Sequence, residues 1–444
     1  MKRARGWILV GTVLLAVTGC GDDGTTSGGG TGGIGGIGGG GGTGALLGTT
    51  ALDPLVGTPR YAVVSSDFTS SSIAMLDEGF NPLDESWINS GTTYPGLVAT
   101  LSGDVALPSE QAGNGTFTII DRFFTDVITR FFVPSGNLLG QVRTQGGAET
   151  TGFSSNPQDV VFVSAESAWV TRYEPNLDPS APPRDRGNDL VELNPTEMSL
   201  TGARIDLSSL NTRVQVVREG STVDVEIFAR PSRAVRIGSR ILVGLDRLSA
   251  GFDAAGSGMV AVVDLEDESL RAVELEGMKN CGNVAVVPGA PTKVVVSCAG
   301  FSQPFQDEAQ IRASSGIAVL DASAVEVDIE RVWRLADYPE AAVTVSGVVP
   351  LDEEHVWGVA NGDFDSLQMI DLATGQQQAV YEATGSFVIG RAAYDSARQM
   401  LFVPDAAANA VVELAFDGGQ LIQLGSVEIA RELGLPPTQV YLLE

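Results

Sequence analysis

Val260-Ala261-Val262-Val263-Asp264 and Ile317-Ala318-Val319-Leu320-Asp321 are short apolar runs that each stop at an aspartate. The form returns in Ile73-Ala74-Met75-Leu76-Asp77, Phe117-Thr118-Ile119-Ile120-Asp121, Val191-Glu192-Leu193-Asn194 and Leu367-Gln368-Met369-Ile370-Asp371. A seventh run, Val411-Val412-Glu413-Leu414-Ala415, lacks the acid. Runs this short, rich in β-branched residues and bounded by turn residues, are strands. Each is expected to be the third of its unit, after a short apolar strand, a turn, a second strand and a variable loop. A turn and an outer strand follow most of them, as in Leu270-Arg271-Ala272-Val273-Glu274-Leu275. A four-stranded antiparallel unit recurring at about 45 residues is the mark of a propeller blade. The terminal acid has a local cause, since its carboxylate accepts hydrogen bonds from the backbone of the turn that follows.

No long stretch carries helical periodicity. The expectation is therefore an all-β chain, with one β-propeller of seven four-stranded blades over residues 51–444. The first unit opens at what should be its second strand, Tyr61-Ala62-Val63-Val64, and the chain finishes with Pro437-Thr438-Gln439-Val440-Tyr441-Leu442. Pairing the two would complete blade one, close the ring and leave no open sheet edge.

Residues 1–19 are expected to be a signal peptide. Lys2, Arg3 and Arg5 form its basic region, and Trp7 to Val17 an apolar stretch too short to span a membrane. Val17-Thr18-Gly19-Cys20 resembles the lipobox of bacterial lipoproteins, which implies a diacylated Cys20 as the first mature residue. Two or more acyl chains anchor stably. Gly21 and Asp22 follow the cysteine, and by analogy with lipoprotein sorting they point to the outer membrane. From Gly21 to about Thr50 the chain is nearly all Gly, Thr and Ser, a composition that cannot order itself. A coil of ~30 residues reaches roughly 30 Å, so residues 20–50 read as a lipidated tether.

The chain of 444 residues carries a net charge of −28, which disfavours nucleic acid and anionic headgroups and suits cationic partners or divalent cations. Its single histidine, His355, leaves little of the imidazole toolkit of haem, quinoprotein copper or zinc chemistry. With Cys20 spent on lipid, Cys281 and Cys298 remain. A turn centred between Gly289 and Ala290 would set them opposite each other on paired strands, and an exported protein meets oxidant. A disulfide is expected.

From about Arg60 onward the chain resembles the YVTN-type, surface-layer-like β-propeller repeat proteins, and in particular the propeller lipoproteins of myxobacteria. The likeness rests on Ser167-Ala168-Trp169-Val170-Thr171-Arg172-Tyr173, on Asn188-Asp189-Leu190-Val191-Glu192-Leu193-Asn194-Pro195 and on Ile241-Leu242-Val243-Gly244-Leu245-Asp246-Arg247-Leu248 before Gly258-Met259-Val260. It implies a binding or scaffold role and names no partner.

For chemistry, His355 stands at a turn entering a second strand, and no Gly-x-Ser-x-Gly elbow precedes it. Asn361-Gly362-Asp363-Phe364-Asp365 offers alternating oxygen ligands, so Asp363 and Asp365 are the candidate calcium ligands, against plain turn capping. Asp246 and Asp253, around Ser249-Ala250-Gly251, are a second candidate. Four loops are long: Val105 to Gly115, Glu174 to Gly187, Leu248 to Gly256 and Phe301 to Ser315. Tyr173, Phe252, Phe301 and Phe305 place aromatics there, as interaction surfaces do. The expected function is thus a membrane-anchored, monomeric, extracytoplasmic binding or scaffold module. A protein or envelope polymer would dock on a face built by blades two to five. The alternative is a calcium-dependent hydrolase or lyase of the propeller-lactonase type.

Overall fold

The computed structural model describes residues 52–94, 96–145, 153–304, 307–337, 342–417, 420–430 and 432–443. The signal peptide, Cys20, the Gly-rich tether and Phe305 lie outside the described residues.

Seven four-stranded antiparallel sheets surround one axis. From the innermost strand outward, blade one is Pro437–Leu442, Tyr61–Ser66, Ser71–Leu76 and Pro82–Asn89. Blades two to seven begin at Val105–Ala106, Pro157–Phe162, Pro231–Ile237, Asn283–Val287, Thr344–Pro350 and Ala393–Asp395, and each continues outward in chain order. The last strand of the chain therefore supplies the first strand of blade one, in the register Tyr61↔Leu442, Val63↔Val440 and Val64↔Gln439.

The apolar core lies in the seams between neighbouring blades. At the closing seam Tyr61, Val63, Ala74 and Val440 of blade one pack against Met400, Phe402 and Val411 of blade seven. The rings of Tyr61 and Phe402 stand 4.6 Å apart, and those of Phe80 and Phe402 stack at 4.2 Å. The Tyr61 hydroxyl donates to Asp395 at 2.8 Å across the same seam.

The capping aspartates act locally. Asp77 accepts from the Asn81 N–H, Asp264 from Glu266, Asp321 from Ser323, and Asp371 from Ala373 and Thr374. Asn194 does the same for Thr196 and Glu197. The backbone donors hold the carboxyls of Asp321 and Asp371 below their ordinary range.

Blade two departs from the expected alignment. Its innermost strand is only Val105–Ala106, so Phe117–Asp121 belongs to the second strand (Thr116–Asp121) and the third is Val127–Phe132. Asp121 caps no outer turn; it is buried and accepts from the backbone and hydroxyl of Ser102. Burial pushes its carboxyl up to about 6.

The disulfide Cys281–Cys298 is present. Its register differs by one residue from the expected one, since Asn283 faces Ser297. The turn falls on Pro288-Gly289, with Gly289 at φ +83°, and the ladder then slips between Val286 and Val287. Pro291 has no N–H to give to the ladder there. A second unforeseen feature is a hairpin, Thr212–Arg218 and Ser221–Ile227, inserted between blades three and four.

Removing residues 435–444 should strip Tyr61–Ser66 of its partner and abolish the cooperative thermal transition. Far-UV circular dichroism and limited proteolysis of a chain ending at Gly434 would show this. An intact transition in that chain would contradict the closure.

Candidate functional site

In a propeller, the loops from second to third strands share one face with the blade-to-blade connections. Three of the four long loops do emerge there: Glu174–Gly187, Leu248–Gly256 and Phe301–Ser315 join second to third strands in blades three, four and five. The fourth does not. Residues 107–115 join the first and second strands of blade two and lead away from that face.

The aromatics expected to form a docking surface are consumed by packing. Tyr173 is buried and stacks with Phe252, and the buried guanidinium of Arg230 lies 4.9 Å from the first ring and 4.0 Å from the second. Arg230 also pairs with Glu174 at 2.8 Å. Phe301 is buried with Leu248 and Ala255. These residues stitch the loops of blades three, four and five to one another. The exposed aromatics on this face belong to the short loops instead: Phe68, Phe123 with Phe124, and Phe364.

The metal candidates are likewise engaged. Buried Asp365 accepts from Asn361 Nδ2 and from the backbone N–H groups of Phe387, Val388 and Ile389, which fixes the passage from blade six to blade seven. Its capacity is saturated by the fold, while Asp363 stands exposed beside it. Asp253 turns to Arg218 of the inserted hairpin and to Ser249. Among the described residues no cluster of three or more His, Cys, Asp or Glu side chains is placed to hold a metal ion. His355 opens the second strand of blade six, with Nδ1 3.0 Å from Asp352 Oδ1, at the end of the blade away from the long loops.

The concave site is the central channel, a cavity of about 400 Å³ that opens among these second-to-third-strand loops. Two of the arginines that line it, Arg233 and Arg391, reach the segment after Ala106. The Leu107 N–H donates to Gln439 of blade one, and its carbonyl accepts from Arg233 of blade four at 2.8 Å and from Arg391 at 3.3 Å. Ser109 donates twice to Asp159 of blade three, and the Gln111 N–H donates to the Tyr441 hydroxyl of blade one. The Leu107 backbone thus ties the innermost regions of blades one, four and seven together.

Three arginines line the cavity: Arg122, Arg233 and Arg391. Arg122 is neutralised by Asp104 and bonds Gln158 at 3.0 Å. Neither Arg233 nor Arg391 has a carboxylate within salt-bridge distance among the described residues; each meets backbone carbonyls. Burial deep in the channel, and then the like charge of Arg391, pull the Arg233 guanidinium down to about 9. Asp159 opposes that shift from beyond salt-bridge distance, so the positive charge is partly compensated. The same wall carries Asp246, which burial pushes up to about 7 against the pull of Tyr173 and Arg230. A Cβ at position 282 would stand 2.0 Å from Asp246 Oδ1, so only glycine admits this carboxyl.

The facing part of the lining, from blades five and six, is mixed: Asn280, Asn283 and Ser346 border it together with Val284, Val348 and Ile389. Trp357 borders it too, and its indole N–H finds no acceptor among the described residues.

Sequence reasoning missed this site because it aligned third strands, while Arg233 and Arg391 stand where first strands begin. The available signal was small: Ser232-Arg233-Ala234 and Gly390-Arg391-Ala392 both put an arginine between small residues where an innermost strand begins.

No family model matches the chain, and no curated protein matches it. Solved structures do. The periplasmic gluconolactonase of Pseudomonas aeruginosa superposes with a TM-score of 0.51 at 13% identity, covering 87% of this chain and 99% of that one. A Bacteroides fragilis protein provisionally assigned as a 6-phosphogluconolactonase gives 0.52 at 10% identity, covering 88% and 100%. A Lactobacillus plantarum protein gives 0.53 at 14% identity, covering 87% and 99%. At such identities the likeness establishes the propeller fold.

Asp246 sets a pH dependence. Its folded-state value of about 7 stands above the ordinary 3.8, so the folded state holds the extra proton, and this contribution to stability is lost as the pH rises from about 4 to 7. Asp246→Asn should remove that slope. Relative to the variant, the wild type should lose up to about 1.4 kcal/mol per pH unit across the window, read from urea unfolding at stepped pH. Parallel profiles would place the carboxyl at its ordinary value.

Proposed function

We propose that this protein is a lipid-anchored, extracytoplasmic binding protein whose propeller channel holds a small organic anion. The observation that carries this is the pair Arg233 and Arg391, two guanidiniums without a carboxylate partner among the described residues, inside a concave site of a chain with net charge −28. Unpaired cations in a low-dielectric cavity are costly, and a bound carboxylate or phosphate relieves the cost through charge-assisted hydrogen bonds. The volume of about 400 Å³ suits a small molecule rather than a polymer. Docking of a protein or envelope polymer on the loop rim through Tyr173, Phe252 and Phe301 loses its support, because these three serve the packing of that rim.

A second reading is favoured by Asp246. A carboxyl with a value of about 7 in the same cavity is poised as a general acid or base. The names of the superposable proteins add lactone hydrolysis as a reaction to test. Asp246 would take the proton of the attacking water while a guanidinium stabilises the developing oxyanion. Collapse of the tetrahedral intermediate would break the ring C–O bond, and the departing alkoxide would take up the proton held by Asp246. This reading needs no calcium.

Binding is tested by calorimetric titration of gluconate, 6-phosphogluconate, butanoate and phosphate into the purified chain. At least one should bind, and Arg233→Met and Arg391→Met should each weaken it about 10- to 100-fold. No binding by any of the four would remove the proposal. Anchoring is tested separately: Cys20→Ala should move the chain from the membrane fraction to the soluble extract. A variant still retained on the membrane would reject lipidation at Cys20.

A further inference from the structure

Buried carboxylates in this fold are usually saturated by their own chain. Asp126, Asp159 and Asp365 each accept four hydrogen bonds. Asp246 differs: it is 5% exposed, lines the channel and receives no backbone N–H. Tyr173 and Arg230 are the groups that act on it, and Arg230 is itself paired with Glu174. A carboxylate can accept about four hydrogen bonds, so most of the capacity of Asp246 is left to the cavity.

Further acceptors stand around it. The carboxyl rests on Gly282, and Asn280 and Asn283 flank that glycine and line the same cavity. Asn280 is 7% exposed, and its side-chain amide makes no hydrogen bond within the described residues. Asn283 donates its Nδ2 to the Ser346 carbonyl at 2.9 Å. A carbonyl only accepts, so the amide is held with its nitrogen there and its Oδ1 is an unused acceptor.

Arg233 and Arg391 make the opposite pole. The charges that act on Arg233 are those of Arg391, Asp159 and Arg122, whereas Asp246 answers to Tyr173 and Arg230. Neither pole belongs to the surroundings of the other, so the cationic and acceptor groups stand apart along the cavity instead of pairing across it. A plain anion answers one pole. A ligand with both a carboxylate and an ammonium answers both, and an ammonium beside Asp246 favours the ionised carboxyl that burial alone disfavours.

We propose that the channel binds an ω-amino acid, with its carboxylate on Arg233 and Arg391 and its ammonium on Asp246, where Asn283 Oδ1 and the Asn280 amide complete the acceptors around the nitrogen. This inference rests on the channel being an anion site and names the ligand class. An α-amino acid holds its two charges too close together to meet poles that stand apart. The ligand has no net charge, so the acidic surface of the chain does not oppose its entry.

The test uses the full chain carrying Cys20→Ala, which keeps lipid out of the measurement. It is titrated calorimetrically with glycine, 4-aminobutanoate, 6-aminohexanoate, butanoate, hexanoate and gluconate. The better of the two spaced amino acids should bind about 10- to 100-fold more tightly than glycine and than the carboxylate of the same length without nitrogen. That comparison decides on the unmutated channel. Asp246→Asn then locates the ammonium, by bringing the affinity ratio of amino to plain carboxylate close to one, while Arg391→Met should weaken both. If the plain carboxylates match their amino counterparts, if glycine matches them, or if gluconate binds best, this inference falls while the anion site stands. If none of the six binds, the anion site itself falls.

Discussion

Antiparallel pairing of Pro437–Leu442 with Tyr61–Ser66 joins the two ends of the described chain, and the channel is assembled from the same strand. Gln439 pairs with Val64 in the ladder, and its side-chain amide turns inward to accept from the Leu107 N–H and donate to the Val105 carbonyl. Tyr441 receives the Gln111 N–H. Thr438 and Val440 exchange backbone hydrogen bonds with Arg391. The closing strand thus fixes the segment at Leu107 and the backbone that carries Arg391. A closed ring satisfies the backbone groups that an open innermost edge would leave bare, and burial makes those groups expensive to orphan.

The same economy governs the other buried charges. Asp159 receives Ser109 from blade two and the Ala234 N–H from blade four, so one carboxylate ties blades two, three and four. Arg172 lies wholly buried with its fork on Asp189, and carries two more hydrogen bonds to the carbonyls of Thr144 and Arg184. Arg230 is held by Glu174, by carbonyls of the loop in blade four and by two aromatic faces. Each of these ions is compensated where it stands. Arg233 and Arg391, like the buried Arg130 and Arg247, have no carboxylate at salt-bridge distance among the described residues; in the channel two such guanidiniums of like charge line one cavity.

Legibility followed the range of the interactions. Turn capping by Asp264, Asp321 and Asp371 is a contact between neighbours in sequence, and it made the blades readable from the chain alone. Blade two misled because a two-residue first strand leaves no apolar run to count, which shifted the alignment by one strand. The aromatics misled for another reason. Length and composition cannot tell a loop that faces solvent from loops that pack on one another, and Tyr173, Phe252 and Phe301 meet only once blades three to five are side by side. The channel was beyond reach for a similar cause: its arginines stand in separate blades, and their meeting is a product of ring geometry.

The net charge of −28 and a site for anions are compatible because the two act over different distances. Exposed carboxylates are screened beyond roughly 8 Å at physiological ionic strength, whereas guanidiniums inside a low-dielectric cavity act at full strength on what touches them. The acidic surface opposes the approach of any anion, and more strongly the higher its charge. It therefore penalises di- and trianions throughout their approach, and an anion with a single charge suffers least before it meets the guanidiniums of the channel.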